Sequence, residues 1–290
     1  MQLEISNLKK TYANGVQALR GVSLSLQSGM FGLLGPNGAG KSTFMRTLAT
    51  LQDPDTGDVR FEGWSALREP DRFRRLLGYL PQDFGVYPGV SAERLLDYFA
   101  QLKGIDDPAT RRAQVGSILE MVNLTGAQHR AVDTYSGGMR QRFGIAQALL
   151  GDPKVIIVDE PTAGLDPAER NRFHRILSEI GNNTIIILST HIVEDVNNLC
   201  KEMAVINSGT VLATGTPRSL MAQLDGTLWE RTVDHAEVDQ YAQRYDLLSV
   251  RMMEGRTKLV VRSASAPEGF VPRSADLEDV YFSLVPASAA

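Results

Sequence analysis

The sequence GPNGAGKS at residues 35–42 fits the phosphate-loop pattern G-x-x-x-x-G-K-[ST]. Its glycines let the backbone curl so that successive N–H groups face phosphate oxygens, next to a helix N-terminus that attracts anions. Lys41 supplies a mobile charge for the β- and γ-phosphates, and the hydroxyl of Ser42 is a suitable Mg²⁺ ligand. The motif lies between an apolar strand predicted at 31–34 and a helix predicted at 41–51. The stretch therefore predicts a nucleotide-phosphate site rather than a glycine turn with a solvated lysine.

An apolar run at 155–158 ends in two adjacent carboxylates, Asp159 and Glu160. Such a run predicts a buried strand, whose end opens onto the crevice where α/β proteins bind ligands. We expect Asp159 to hold Mg²⁺ through water, because Mg²⁺ keeps much of its hydration. Glu160 is then placed to orient or deprotonate an attacking water. A merely solvated acidic strand end is disfavoured, because the apolar run buries the strand.

Length and composition set broad limits on the class of protein. The 290 residues suffice for one large α/β domain with a small appendage, or for two modest domains. A net charge of −4 without a long basic run disfavours a surface built to neutralise nucleic acid. The single cysteine, Cys200, cannot form an internal disulfide, so a reducing compartment is expected. Neither a signal peptide nor about 18 consecutive apolar residues occur, so any membrane role is expected to need a partner.

The patterns along the chain predict an α/β fold, a P-loop NTPase core with a parallel sheet, because strands and helices alternate between 155 and 199. Residues 1–30 alternate around a turn at 14–15, which indicates an N-terminal antiparallel β subdomain. Helical spacing between 91 and about 125 predicts a helical insert. After Gly215 the pattern changes to that of a small C-terminal α+β appendage, with a loop at 263–275.

The segment YSGGM at 135–139 resembles LSGGQ, the signature of ABC ATPases, and with the two motifs above the resemblance covers nearly all of residues 1–225. Ser-Gly-Gly is weak alone, but here it lies shortly before the strand that ends at Asp159, as in the family. Ser136 and the glycine N–H groups at a helix start form a second anion site. In the family that site caps the γ-phosphate of the opposite subunit. The resemblance implies a head-to-tail homodimer with ATP at its interface, and a heterodimer stays open.

Four smaller matches extend the resemblance. Tyr12 lies where the family stacks an aromatic ring on adenine, although a core aromatic of a strand is a competing interpretation. Gln82 resembles the Q-loop glutamine that touches Mg²⁺ or water, and its alternative is a plain loop amide. Asp166 belongs to a D-loop-like segment at 163–166 that crosses the dimer interface in the family, or it caps the helix that follows. His191 resembles the switch histidine that contacts the γ-phosphate. The remaining histidines are interpreted as structural: His129, His174 and His235.

The resemblance implies three sets of site residues and the cofactors ATP and Mg²⁺. The expected catalytic residues are Glu160, His191 and Lys41. The expected Mg²⁺ ligands are Ser42, Gln82 and Asp159. The expected nucleotide contacts are Tyr12, Gly35, Asn37, Gly38, Ala39, Gly40, Lys41, Ser42, Thr43, Gln82, Ser136, Gly137, Gly138 and Asp166.

The resemblance also predicts domains and partners. Residues 1–225 are expected to form the ABC ATPase domain, with a helical subdomain at about 84–150, and residues 226–290 a C-terminal accessory domain. The protein is expected to power transport, most simply export, through a separate transmembrane permease. It would then be cytoplasmic and peripheral on the inner face of the membrane. In the family a permease helix docks near 84–99; there Val86, Tyr87, Val90 and Leu95 either line the groove or pack in the core.

Two departures and two alternatives complete the prediction. Tyr135 replaces the usual leucine, and Met139 the usual glutamine, which leaves Ser136 and the backbone donors in place. The phrases at 29–43 and 277–282 resemble bacterial exporters of the drug and polysaccharide type. One alternative is a soluble ABC ATPase that acts on nucleic acid or ribosomes; the single cassette, acidic charge and lack of heptads disfavour it. An inactive regulatory cassette is disfavoured because the motif residues are all present.

Overall fold

The computed structural model describes residues 1–162, 165–253 and 255–285. Its strands are β1 (Gln2–Thr11), β2 (Gln17–Gln27), β3 (Gly29–Leu34), β4 (Thr56–Phe61), β5 (Trp64–Ser65), β6 (Leu77–Leu80), β7 (Val155–Asp159), β8 (Ile185–Thr190), β9 (Glu202–Asn207), β10 (Thr210–Gly215), β11 (Leu228–Val233), β12 (Leu247–Met253), β13 (Arg256–Arg262) and β14 (Val271–Pro272). Its α-helices are α1 (Lys41–Leu48), α2 (Pro70–Leu76), α3 (Ala92–Leu102), α4 (Pro108–Met121), α5 (Gly137–Leu149), α6 (Pro167–Ile180), α7 (Val193–Leu199), α8 (Pro217–Ala222), α9 (Val238–Arg244) and α10 (Leu277–Leu284).

The central sheet has six strands in the order β10-β9-β3-β8-β7-β6. The pairs from β9 to β6 are parallel, and only the edge strand β10 runs antiparallel within these described strands. Both β7 and β8 are buried at every position, as expected for Val- and Ile-rich strands covered on both faces. The register places Leu34 beside Thr190 and Asp159 beside Ser189. The phosphate loop, the two carboxylates and His191 therefore all lie at the carboxyl ends of neighbouring parallel strands.

The N-terminal sheet is antiparallel, in the order β2-β1-β4-β5. Leu3 and Ile5 of β1 point into a core that also holds Phe44 and Leu48 of α1. At the predicted turn, Gly15 has a φ of 83° and donates its N–H to the carbonyl of Tyr12 at 2.8 Å. The alternation of β1 and β2 thus attaches the phosphate-loop helix to the N-terminal sheet.

The helical insert consists of α3, α4 and α5, which share a core with the central sheet. Helix α4 begins at an N-cap, Asp107, whose side chain accepts from the N–H of Thr110. Leu95 of α3 is 2% exposed and lies inside this core, whereas Leu102 at the end of the same helix is 67% exposed. The insert therefore leaves an apolar helix end on the surface.

The C-terminal residues form a sheet in the order β12-β13-β11-β14, together with α9 and α10. Leu277 and Val280 of α10 are buried in the same core as Val196 of α7 and Leu220 of α8. The appendage is therefore packed onto the ATPase part through shared apolar side chains. The division between 225 and 226 stays a prediction, because Leu228 also belongs to the shared core.

The predicted architecture is confirmed, with differences at a few element ends. The helix predicted at 41–51 ends at Leu48, and Thr50 just beyond it has a φ of 56°, which interrupts the helix. The predicted loop at 263–275 contains the short strand β14. Helix α2 was not predicted, because Phe73 is its only buried residue and leaves no apolar periodicity to detect.

Candidate functional site

The phosphate loop runs from β3 to α1 and lines a cavity of about 780 Å³. Gly40, the residue before α1, has a φ of 102°, and a Cβ atom there would collide with the carbonyl oxygen of Ala18. A Cβ atom on Gly35 would collide with the carbonyl oxygen of Ile206. The glycines are thus required by close backbone neighbours. Of the expected nucleotide contacts, those that line this cavity are Tyr12, Asn37, Gly38, Gly40, Lys41, Ser42, Thr43 and Gln82; Ala39 is buried behind the loop.

Lys41 is held across the loop by three oxygen atoms. Its Nζ donates to the carbonyls of Gly35 at 2.8 Å and Pro36 at 3.1 Å. The same Nζ lies 3.3 Å from Oε1 of Glu160. The Lys41 side chain is only 5% exposed, and these contacts direct its ammonium group into the loop.

Glu160 contacts both of the other predicted catalytic residues, Lys41 and His191. Its Oε2 lies 2.9 Å from Nδ1 of His191, while its Oε1 contacts Lys41. Glu160 has a φ of 47°, an uncommon conformation for a residue other than glycine, and its N–H donates to the carbonyl of Ser189 at 2.9 Å. The sharp turn after β7 therefore aims this carboxylate between the lysine and the histidine.

Asp159 fits a Mg²⁺ site. The residue is 4% exposed, and its Oδ1 has no hydrogen-bond partner among the described residues. Burial raises the pKa of Asp159, and the charge of Glu160 raises it further, although nearby hydroxyls and Lys41 act in the opposite direction. A cation would relieve both effects. Within the described ranges no group of three His, Cys, Asp or Glu side chains could hold a metal, so phosphate oxygens, Ser42 and water would supply the remaining ligands.

Tyr12 also lines the cavity and is 37% exposed. Its hydroxyl is 3.0 Å from Oγ1 of Thr43 and donates to Oε1 of Gln52 at 3.2 Å. Gln52 in turn donates to the carbonyl of Thr43 at 2.9 Å. The ring is therefore tied to α1 and forms part of the cavity wall, not of the core, and its contact with adenine stays a prediction.

The signature segment does not line this cavity. Ser136 caps α5 by accepting from the N–H of Met139 at 3.3 Å. Gly137 lines a different cavity, of about 460 Å³, together with Gln82 and Leu165. None of residues 136–138 lines the phosphate-loop cavity. Within the described part of one chain, the two anion sites are not brought together.

The two signature departures have local explanations. Tyr135 is buried, donates its hydroxyl to the carbonyl of Ala127 at 2.8 Å and packs edge-on against Phe143. Met139 is partly buried against the core of the insert. Both side chains therefore stabilise the base of α5 and leave Ser136 at the surface.

Asp166 caps helix α6 by accepting from the N–H of Glu169 at 2.9 Å. The capping interpretation therefore describes this chain by itself, and a role at a dimer interface stays a prediction. Residues 163 and 164 of the D-loop-like segment lie outside the described residues.

Several lining residues were missed by sequence reasoning. Gln17, Ala18 and Arg20 of β2 and Ser208 of the β9–β10 turn also line the cavity. The only available signal for the three β2 residues was their position soon after Tyr12, and no sequence signal marked Ser208.

A second surface groove, of about 510 Å³, lies between the end of α1, α2 and α3; we call it the α1–α3 groove. Leu51 and Leu102 line it and are 60% and 67% exposed. Of the two interpretations of Leu95, core packing is the one observed, because its face of α3 packs inside the insert. Val86 and Val90 also pack against that core, and only Tyr87 of the expected set is exposed.

Comparison with known proteins identifies the family. The family model named ABC transporter matches residues 19–163. Linearmycin resistance ATP-binding protein LnrL from Bacillus subtilis (strain 168) is 33% identical over 234 residues, 80% of this chain and 75% of that protein. Daunorubicin/doxorubicin resistance ATP-binding protein DrrA from Streptomyces peucetius is 36% identical over 252 residues, 86% of this chain and 75% of that protein. The dimeric structure of MJ0796, a bacterial ABC transporter cassette, matches with a TM-score of 0.67 at 25% identity, covering 74% of this chain and 98% of its own.

The chain therefore belongs to the ABC transporter family, as its ATP-binding subunit. It is an ATPase that uses ATP and Mg²⁺, so the predicted family, activity and cofactors are confirmed. The resistance proteins among its relatives agree with the predicted drug-exporter type, and the alternative of a soluble ATPase acting on nucleic acid or ribosomes is not favoured. The relatives also support a dimer and a membrane partner. In the part of the chain that the structure describes, no helix is long and apolar enough to cross a membrane.

Proposed function

We propose that this chain hydrolyses ATP as one half of a head-to-tail dimer and thereby drives export through a separate membrane-spanning partner. The observation that carries the proposal is the separation of the two anion sites. Ser136–Gly138 lies outside the cavity that holds Lys41 and Glu160, so one chain offers each half of a site but not a whole one. Two copies related by a twofold axis complete two sites.

In this proposal the loop N–H groups and Lys41 bind the β- and γ-phosphates. Ser42, Asp159 and Gln82 would hold Mg²⁺, of which Ser42 and Gln82 line the phosphate-loop cavity, and the ion would supply neutralisation of phosphate charge. Tyr12 stacks on the adenine ring, and Ser136 with the N–H groups of Gly137 and Gly138 contacts the γ-phosphate bound by the partner subunit.

Glu160 acts on the attacking water, and His191 orients Glu160 and the γ-phosphate. The Glu160 carboxylate is shared by Lys41 and His191. Phosphate oxygens compete for the Lys41 ammonium group, which frees Oε1 of Glu160 to accept a proton from water. Binding of ATP thus prepares the base as well as the substrate.

The same set of motif residues in one chain favours a homodimer with two equal sites. A heterodimer is the alternative, in which a second cassette supplies the facing Ser136 equivalent. The complementary halves on a single chain support the homodimer, because a chain specialised for a heterodimer would not need both halves intact.

The membrane partner contacts the α1–α3 groove, where Leu51 and Leu102 expose apolar side chains beside the basic residues Arg74 and Lys103. This contact would keep the protein at the inner face of the membrane. The relatives' names refer to resistance to linearmycin and to daunorubicin and doxorubicin, which supports a drug-like substrate for the complex. The partner's membrane-spanning part would select that substrate.

The replacement Glu160→Gln tests the proposal. It should abolish ATP hydrolysis, retain ATP binding and increase the dimer fraction in MgATP, as measured by size-exclusion chromatography with light scattering. Glu120→Gln, on the exposed side of α4, is the matched control and should behave as the unmodified protein. Hydrolysis by Glu160→Gln at the unmodified rate would contradict the assignment of the base.

A further inference from the structure

A fully buried carboxylate, Asp195, lies in the first turn of α7. Three side chains donate hydrogen bonds to it. Oδ2 accepts from the hydroxyl of Thr162 at 2.5 Å, while Oδ1 accepts from Nε of Arg170 at 2.7 Å and from Nε2 of His174 at 2.8 Å. All three donors come from the segment that begins after β7, so Asp195 joins two parts of the chain that are distant in sequence.

One of the two joined segments carries Glu160 and the other carries His191, which contact each other in the site. Thr162 follows Glu160 by two residues, and Asp195 follows His191 by four. Glu160 and His191 are 2.9 Å apart, so the segments meet twice, once at the cavity and once behind it. Thr162 also accepts, through its carbonyl, the N–H of Leu165 at 3.2 Å, and α6 begins just beyond at Pro167, after its N-cap Asp166.

We propose that Asp195 is a positioning residue for ATP hydrolysis, which fixes the Glu160 segment against the His191 segment through Thr162, Arg170 and His174. The inference rests on the proposed function, in which Glu160 acts on water and His191 orients it. It adds a second anchor that contacts neither ATP nor Mg²⁺. Asp195 thereby also fixes the position of Leu165 and Asp166, which directly precede α6.

The positioning role rests on the negative charge of Asp195, which is buried and fully hydrogen-bonded by its three donors. Burial alone would raise the pKa of Asp195, but the hydrogen bonds from His174, Thr162 and Arg170 outweigh it and hold that pKa below its usual range. An ionised carboxylate with three directed donors permits little displacement, because moving any donor leaves buried charge unpaired. Arg170 reaches Glu194 as well, at 3.3 Å, which adds a contact to the same helix.

Comparing Thr162→Val with Thr162→Ser separates the effect of the Thr162 hydroxyl on positioning from the effect of the side chain's shape on packing. Valine keeps the volume of threonine and removes the hydroxyl, whereas serine keeps the hydroxyl. In the full chain, Thr162→Val should lower kcat about tenfold to a hundredfold, since small misplacements of reacting groups have effects of that order. The Kd of a fluorescent ATP analogue should change less than about twofold, because the phosphate loop is untouched. Thr162→Ser should retain kcat.

A control is needed for loss of stability. Asp97→Asn breaks the ion pair of Arg111 in the helical insert, a partly buried pair whose two residues do not line the nucleotide cavity. Thermal unfolding is compared for all variants. A fall in kcat in Thr162→Val beyond that in Asp97→Asn at equal loss of Tm supports positioning, and an equal fall in both overturns it.

Glu160→Gln, measured in parallel, distinguishes failure of the inference from failure of the proposed function. Normal hydrolysis by Glu160→Gln overturns both. Inactive Glu160→Gln together with equal kcat values in Thr162→Val and Thr162→Ser overturns the positioning role alone. Asp195→Asn should lower kcat like Thr162→Val, and the double variant should fall no further than either single variant, since both remove the same anchor.

Discussion

Replacing Asp159 by Asn should stabilise the nucleotide-free protein at neutral pH, although it removes a residue of the proposed Mg²⁺ site. Asp159 is almost fully buried, and its Oδ1 has no hydrogen-bond partner among the described residues. Burial, followed by the charge of Glu160, raises the pKa of Asp159 above the ordinary value of 3.8. In the absence of nucleotide the ionised carboxylate is therefore held in an unfavourable environment.

The direction of the pH dependence follows from linkage. A carboxyl group whose pKa is higher in the folded chain stabilises folding while it is protonated, and this contribution is lost as pH rises through the folded pKa. Above its raised folded pKa the ionised Asp159 lowers the free energy of unfolding. Asparagine keeps the shape of the side chain and removes its charge, and each pKa unit by which the folded state raises the pKa of Asp159 corresponds to about 1.4 kcal/mol. For a chain of this size each kcal/mol raises Tm by about 2 °C.

The assay is urea unfolding between pH 8 and pH 4.5, with and without MgATP. The advantage of Asp159→Asn should shrink as pH falls, because the unmodified protein becomes protonated at the same position. With MgATP at about 100 times Kd the unmodified protein gains about 2.7 kcal/mol, whereas the variant should gain much less. Asp225→Asn, at an exposed site, is the control. A variant that is less stable than the unmodified protein at pH 7 without nucleotide would refute the reasoning.

Three further predictions concern the phosphate loop, the proposed adenine contact of Tyr12 and the α1–α3 groove. Gly40→Ala should abolish ATP binding in equilibrium dialysis, because its φ of 102° and the carbonyl of Ala18 leave no room for a methyl group; binding at the unmodified Kd would contradict this. Tyr12→Phe should weaken the Kd for ATP by a few-fold, since the ring loses a hydrogen bond contributing about 1 kcal/mol, and Tyr12→Ala should weaken it further; equal effects would argue against stacking. Leu51→Asp and Leu102→Asp should leave ATP binding by the chain unchanged and reduce co-purification with the membrane partner, whereas retained co-purification would exclude the α1–α3 groove.

Local signals predicted the parts of the site that are contiguous in sequence. The glycines of the phosphate loop, Lys41 and the Asp159–Glu160 pair follow from short motifs whose backbone chemistry is fixed within a few residues. His191 was predicted from its resemblance to a switch residue. The structure brings it to 2.9 Å from Glu160 because β7 and β8 are neighbours in register.

Contacts between segments that are distant in sequence could not be predicted from sequence patterns. No sequence pattern singled out Asp195, because only the fold brings Arg170 and His174 of α6 to it. Leu95 and Leu102 share the apolar pattern of α3, but periodicity cannot tell which end of a helix face is covered. The structure buries the first and exposes the second.

The shared site is tested most directly by mixing two inactive variants. Lys41→Ala disables the phosphate loop, and Ser136→Arg disables the signature, so each variant alone should lack ATPase activity. In a mixed head-to-tail dimer the intact loop of one chain faces the intact signature of the other, and one of the two sites is restored. With random pairing half of the dimers are mixed, so an equimolar mixture should recover about a quarter of the unmodified activity. No recovery, with mixed dimers demonstrated by differential tagging, would contradict a site built from two chains.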